Sequence, residues 1–165
     1  MKVENYTDSA TFDKLKAGDA FAFKHLERVH ICIKTFRGSQ PQGRFYSCLS
    51  LNMGDRKPYI PFLFNEDVVF ISGRISLLEA AIFRPSHDPV DIEFYHDIQP
   101  IPGLVAVQNK RVFLYASKGD AVFPVCMKTG EVCRPSADDA VTYIKKWSLI
   151  SQVGGQETVL YTFPE

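Results

Sequence analysis

The densest group of side chains able to do chemistry is the run His87-Asp88-Pro89-Val90-Asp91-Ile92-Glu93-Phe94-Tyr95-His96-Asp97. Imidazoles and carboxylates at this density suit a divalent cation. On a strand Asp91 and Glu93 share a face, with Val90, Ile92 and Phe94 on the other. His87 and His96 then close in from the flanking turns. These four residues, His87, Asp91, Glu93 and His96, form the candidate metal site, and with it a metal-dependent enzyme enters as one reading of function. The run has no HxxxH or HxH pair and no facial-triad spacing. Ser86-His87-Asp88-Pro89 is more simply a turn entering a solvated strand face.

Other reactive residues are sparser. His25 and His30 flank Glu27-Arg28 in what reads as a hairpin connection. No GxSxG, P-loop or GxGxxG pattern occurs. The cysteines, Cys32, Cys48, Cys126 and Cys133, lack zinc-type spacing. Cys32 and Cys48 sit in apolar strand patterns and read as small core residues. A two-residue turn at Thr129-Gly130 would put Lys128 opposite Glu131 and Cys126 opposite Cys133. That pair is then either a cross-strand disulfide or two packed thiols. A cysteine nucleophile would need an activating partner, and the sequence names none. The expectation is a protein that is not an enzyme and needs no cofactor.

The elements that would carry these residues are strands. Aromatic residues make up 13% of the 165, including thirteen Phe and seven Tyr, and β-branched residues are frequent, a mixture suited to half-buried pleated strands. Thr11 to Leu15 suggests one turn of helix or 3₁₀, and Gly18-Asp19 a turn into a strand at Ala20 to Phe23. Val29, Ile31 and Ile33 alternate with His30, Cys32 and Lys34. Further extended segments are Phe45–Leu51, Tyr59–Phe64, Val68–Ser72 and Asp91–Tyr95. Leu77 to Ile82 has the composition of a short helix ending at Arg84-Pro85.

After residue 97 the pattern begins again. Ile98–Val107 corresponds to Leu15–Phe23, Val112–Lys118 to Val29–Thr35, Ala121–Met127 to Phe45–Leu51, and Asp139–Ile144 to Glu66–Ile71. The expected fold is mainly β: two similar small antiparallel β-sheet or open-barrel units packed together, with one or two short helical segments. The units span residues 1–85 and 86–165. Each alone is too small to bury a sufficient core, so they should pack through their remaining apolar faces.

Leu15-Lys16-Ala17-Gly18-Asp19-Ala20-Phe21-Ala22-Phe23, followed by Lys34-Thr35 and the closing Val68-Val69-Phe70-Ile71, resembles small bacterial and bacteriophage SH3-like β proteins without assigned activity. The resemblance covers about 60 residues of the first unit, with a looser copy in the second. There Ile101-Pro102-Gly103 replaces the Ala-Gly-Asp turn. The resemblance implies a folding signature and no catalytic role.

Lys+Arg and Asp+Glu balance at 19 each, so general affinity for a polyanionic backbone is disfavoured. No segment approaches the roughly 18 apolar residues of a membrane-spanning helix, and the first ten residues lack a signal-peptide pattern. A cytoplasmic protein is expected. The leading functional expectation is a non-enzymatic protein–protein interaction module, a phage or mobile-element protein that binds or inhibits a host protein. Tyr59, Phe62, Phe64 and Trp147 are its candidate contacts, the partner is unidentified, and a homo-oligomer is compatible. The alternative is a nucleic-acid-binding β-barrel module using Arg37, Arg44, Arg56 and Lys57 beside nearby aromatics.

Overall fold

The structure, a computed structural model, describes residues 6–36, 48–53, 59–65, 75–93 and 99–164, with backbone only for 6–10 and 93. It is mainly β, with two sheets, neither closed into a barrel. The first part contributes β1 (Tyr6–Ala10), β2 (Ala20–His25), β3 (Arg28–Lys34), β4 (Cys48–Ser50), β5 (Phe62–Phe64), β6 (Ile75–Leu78) and β7 (Ala81–Pro85). Then follow β8 (Ile92–Glu93), β9 (Val105–Gln108), β10 (Arg111–Lys118), β11 (Ala121–Cys126), β12 (Thr142–Ile144), β13 (Trp147–Val153) and β14 (Gln156–Phe163). The larger sheet runs β1-β6-β2-β3-β4-β5-β10-β9-β12-β8, with β11 also on β10; the smaller runs β14-β13-β7.

Two hairpins organise the larger sheet, and they share their local geometry. In β2–β3, His25 pairs with Arg28 across Leu26-Glu27, which adopt φ +46° and +63°. In β9–β10, Gln108 pairs with Arg111 across Asn109-Lys110, at φ +48° and +64°. Both are two-residue turns of the left-handed kind that matches the strand twist. At the open end each hairpin is closed by a β-turn with glycine third. Asp19 N–H donates to Lys16 O and Leu104 N–H to Ile101 O, with Gly18 at φ +93° and Gly103 at +92°. Ile101-Pro102-Gly103 thus makes the same turn as Lys16-Ala17-Gly18. Pro presets the second position as well as Ala fills it.

Alternation divides the side chains of these strands between separate cores. Ala20, Ala22, Ile31 and Ile33 from one hairpin, and Val105, Leu114 and Ala116 from the other, meet in the largest cluster with Leu49, Leu63, Val125 and Trp147. Phe21, Phe23 and Cys32 point the other way, into a cluster with Phe12, Leu15, Cys48 and Phe64. Ala106, Phe113, Tyr115 and Cys126 form a third with Leu104. The central strands are therefore buried on both faces, as near-continuous apolar runs require.

The Lys34 of the Lys-Thr pair has a structural task. Its ammonium donates to Phe12 O (2.9 Å) and Leu15 O (2.8 Å) and lies 4.5 Å from the Phe12 ring centroid. It thereby ties down the short 3₁₀ turn Phe12–Lys14. The turn before the β2–β3 hairpin meets the loop after β11 at a pair of glycines. A Cβ on Gly130 would fall 2.4 Å from Lys34 O and 2.5 Å from Gly18 N, so the backbones touch directly. Phe36 N–H donates to Gly130 O, and Val132 N–H to Phe36 O, across the same junction.

Three expectations are corrected here. Leu77–Ile82 is not helical but crosses from β6 to β7, turning at Glu79-Ala80 with Ala80 at φ +49°. Strands on both sides satisfy its backbone, and that tertiary pairing outweighs helix propensity. Asp91 lies in a 3₁₀ turn, Pro89–Asp91, and not on the strand, which begins at Ile92. Cys126 does not oppose Cys133. Cys126 N–H donates to Glu131 O, and Cys133 N–H to Pro124 O, around a loop closed by Gly130 N–H to Cys126 O. A four-residue loop replaces the two-residue turn, so the cysteines stand diagonally.

In the smaller sheet Trp147 is 1% exposed, stacked on Phe163 (5.2 Å, 11°), with its indole N–H donating to Gly103 O (3.0 Å). On the outer face Arg84 reaches across β13 to Glu157 in a bidentate pair (3.0 and 2.7 Å). Arg84 is opposite Ser148 and Glu157 opposite Gln152, so the pair passes over Ile150, which is only 3% exposed. No helix among the described residues is long and apolar enough to cross a membrane.

Candidate functional site

The cleft with the most varied chemistry lies over the third core cluster. Its volume is about 600 Å³, within the range of small-ligand and peptide pockets. β10 supplies Tyr115 and β12 supplies Tyr143; Pro124 and Val122 come from β11. Arg134, Pro135 and Ser136 form a wall, and Asp120 and Asp139 bring carboxylates. Gln99 also borders a second cleft of about 410 Å³, shared with Ile101 and Phe163.

The wall is irregular backbone, held by one buried side chain. Gln108, 4% exposed at the end of β9, donates to Ser136 O (2.7 Å) and Asp139 O (3.0 Å). Its carbonyl accepts from Ser136 N–H (2.7 Å). Asn109 adds a bond to the Asp139 carboxylate at 2.9 Å. A buried amide with such complete partnering fixes the loop in one arrangement.

Tyr115 is 6% exposed, and the Tyr143 phenol is its neighbour across the cleft. Burial, together with this neighbour, pushes the Tyr115 phenol up to about 12, with Arg134 opposing. The phenol therefore stays protonated at neutral pH and can serve as a hydrogen-bond donor, not as a base. The cleft offers phenols, a guanidinium, two carboxylates and proline walls. That is chemistry for holding a ligand of mixed charge.

The residues singled out from the sequence lie elsewhere. Of the acidic run, Asp91 accepts from the Ser86 hydroxyl, and Asp88 caps the 3₁₀ turn by accepting from Val90 N–H (3.1 Å). His87 is exposed. These are turn interactions, and the described residues contain no group of three or more metal-ligating side chains. The Glu93 side chain and His96 lie outside the described residues, as do Arg37, Arg44, Arg56 and Lys57. Trp147 and Phe64 are buried and offer no surface, whereas Tyr59 and Phe62 are partly buried. The Phe62 and Phe64 rings pack at 5.8 Å, tilted by 48°, against the second cluster. His30 is 6% exposed beside Phe23; its Nε2 faces His25 O at 3.3 Å and its Nδ1 has no hydrogen-bond partner.

Sequence reasoning missed the cleft because its residues come from four separated stretches. A usable signal was present in the Tyr115 and Tyr143 positions, whose strands needed an aromatic on the face away from the central core. No protein-family model, curated protein or solved structure matches the chain.

Proposed function

We propose that the protein is a non-enzymatic interaction module that docks a short extended peptide segment of a partner protein in the Tyr115–Tyr143 cleft. The observation that carries this reading is the composition of that cleft. Tyr and Arg are the side chains favoured at binding hot spots, because they combine large contact area with directional donors. Phenols between proline walls suit an extended backbone, whose carbonyls accept from the hydroxyls. Arg134 takes a carboxylate of the segment, and Asp120 or Asp139 an amine or guanidinium. The same two carboxylates repel a phosphate backbone, so the mixed charge favours a peptide over nucleic acid.

The test is selection from a displayed random peptide library on the immobilised protein, repeated with Tyr143→Ala and Arg134→Ala. Enriched peptides should share a motif carrying a carboxylate and bind both variants at least about tenfold more weakly, the loss of one charge-assisted contact. Enrichment undiminished by both substitutions would place docking elsewhere. Salt-sensitive binding of single-stranded oligonucleotides, with no peptide enriched, would favour the nucleic-acid alternative.

A further inference from the structure

Two pairs of cysteines stand one diagonal step apart on neighbouring extended segments, and their surroundings differ. Cys32 pairs with Ser50 while Cys48 pairs with Lys34, so these thiols share one face of β3–β4. Both are 0% exposed among phenylalanines, and burial, reinforced by Cys48, pushes the Cys32 thiol well up. Such thiols are inert.

The second pair has polar company. Val125 bridges Val132, so Cys126 and Cys133 project from the same face. The exposed Arg111 sets its guanidinium 3.7 Å from the Cys133 sulfur, with Cys126 beside it. The loop that follows turns back on Cys126, closed by Gly130 N–H donating to Cys126 O, and brings Thr129 and Lys128 near its thiol. Burial alone pushes this thiol up; those two residues and Arg111 together pull it below its ordinary value. Cys133, partly exposed, is shifted the other way by burial and by Glu131. Cys126 is thus the more acidic of the two thiols.

We propose that Cys126 and Cys133 are an oxidisable dithiol site whose substrate is a small hydroperoxide. The Cys126 thiolate attacks one peroxide oxygen, the O–O bond breaks, and the departing oxygen takes up a proton as water or alcohol. Cys126 is left as a sulfenic acid. The Cys133 sulfur then attacks the Cys126 sulfur; the S–O bond breaks, the S–S bond forms, and water leaves with the Cys133 proton. Two electrons pass from the two thiols to the peroxide. Cys126 is only 1% exposed, beside the exposed Arg111 but also among Leu104, Phe113 and Tyr115, so a small hydroperoxide reaches it only when these side chains move. Residues 131–133 are held by bridges to both Phe36 and Val125, so Cys133 closes the diagonal gap by turning its side chain. This site stands apart from peptide docking, although Arg134 of the cleft wall follows Cys133 directly.

The fully reduced protein is treated with hydrogen peroxide under native conditions, digested and mapped by mass spectrometry. The expected product is a Cys126–Cys133 disulfide with Cys32 and Cys48 still reduced. In Cys133→Ser, Cys126 should accumulate as a sulfenic acid trapped by a dimedone reagent. In Arg111→Met, oxidation of Cys126 at neutral pH should slow by about tenfold, with the rate profile moved to higher pH. The proposal is overturned if Cys32 or Cys48 oxidises as fast as Cys126. It is equally overturned if no Cys126–Cys133 linkage forms, or if Arg111→Met leaves the rate and its pH profile unchanged.

Discussion

Replacing Gly130 with alanine should strike the junction between the β2–β3 hairpin and the loop after β11, and the cost can be worked from its surroundings. Gly130 has φ +69°, where an L side chain costs about 1–2 kcal/mol. The new Cβ would also lie 2.4 Å from Lys34 O and 2.5 Å from Gly18 N. Both neighbours are backbone, so relief requires the loop to lift away. Lifting strains the bonds from Phe36 N–H to Gly130 O and from Val132 N–H to Phe36 O, each contributing about 1 kcal/mol. The total is about 3–4 kcal/mol. Gly154 supplies the control, because it has φ +59° and no atom within 4 Å of an added Cβ. Gly154→Ala should therefore cost only the conformational part, about 1–2 kcal/mol. Urea unfolding followed by the fluorescence of the single Trp147 measures both. With a slope of roughly 2 kcal/mol per molar, the Gly130→Ala midpoint should fall about 1 M further than that of Gly154→Ala. Equal midpoints for the two variants would refute the direct backbone contact.

Three further substitutions probe other levels of the account. Leu26 occupies a left-handed position at φ +46° while 80% exposed, and the matching turn uses Asn109 there; Leu26→Asn should stabilise the protein by about 0.5–1 kcal/mol in the same urea assay. Burial lowers the pKa of His30, so the folded state resists protonation while the unfolded chain accepts a proton near pH 6.5. Stability should then be full above that pH and decline as pH falls through it towards the lowered folded value, and His30→Phe should flatten the decline. Tyr143→Phe removes the hydroxyl that neighbours Tyr115, so ultraviolet titration should find the Tyr115 phenol ionising below about 12, though burial keeps it above an ordinary tyrosine.

The strands with strict alternation were legible from residue types alone. Val29, Ile31 and Ile33 do face the central core while Cys32 faces the neighbouring cluster, because the pleat leaves no other arrangement. A hairpin connection between His25 and His30 was legible, but not the two-residue left-handed turn at Leu26-Glu27, which neither residue type announces. Leu77–Ile82 was misread because its propensity is helical and only distant strands decide otherwise. The loop after Cys126 was misread by two residues of register, since Thr129-Gly130 suits a tight turn and the docking of Gly130 on Gly18 is a tertiary fact. The cleft was illegible for a similar reason. Its wall depends on Gln108 reaching Ser136 and Asp139, nearly thirty residues on, and no local pattern encodes that reach. The groups that favour a lowered Cys126 thiol, Thr129 and Lys128 of the loop and then Arg111 of β10, are brought to it by the fold and by no local pattern.

The central claim is that a peptide docks between Tyr115 and Tyr143, against the wall held by Gln108. Its most direct test is an amide-resolved NMR titration of the protein with a library-selected peptide. The account predicts saturable shifts concentrated at Tyr115, Val122, Arg134, Ser136 and Tyr143, lost in Arg134→Ala and kept in Arg84→Ala on the far sheet. Shifts centred on any other surface, or shifts at the cleft that persist undiminished in Arg134→Ala, would contradict it.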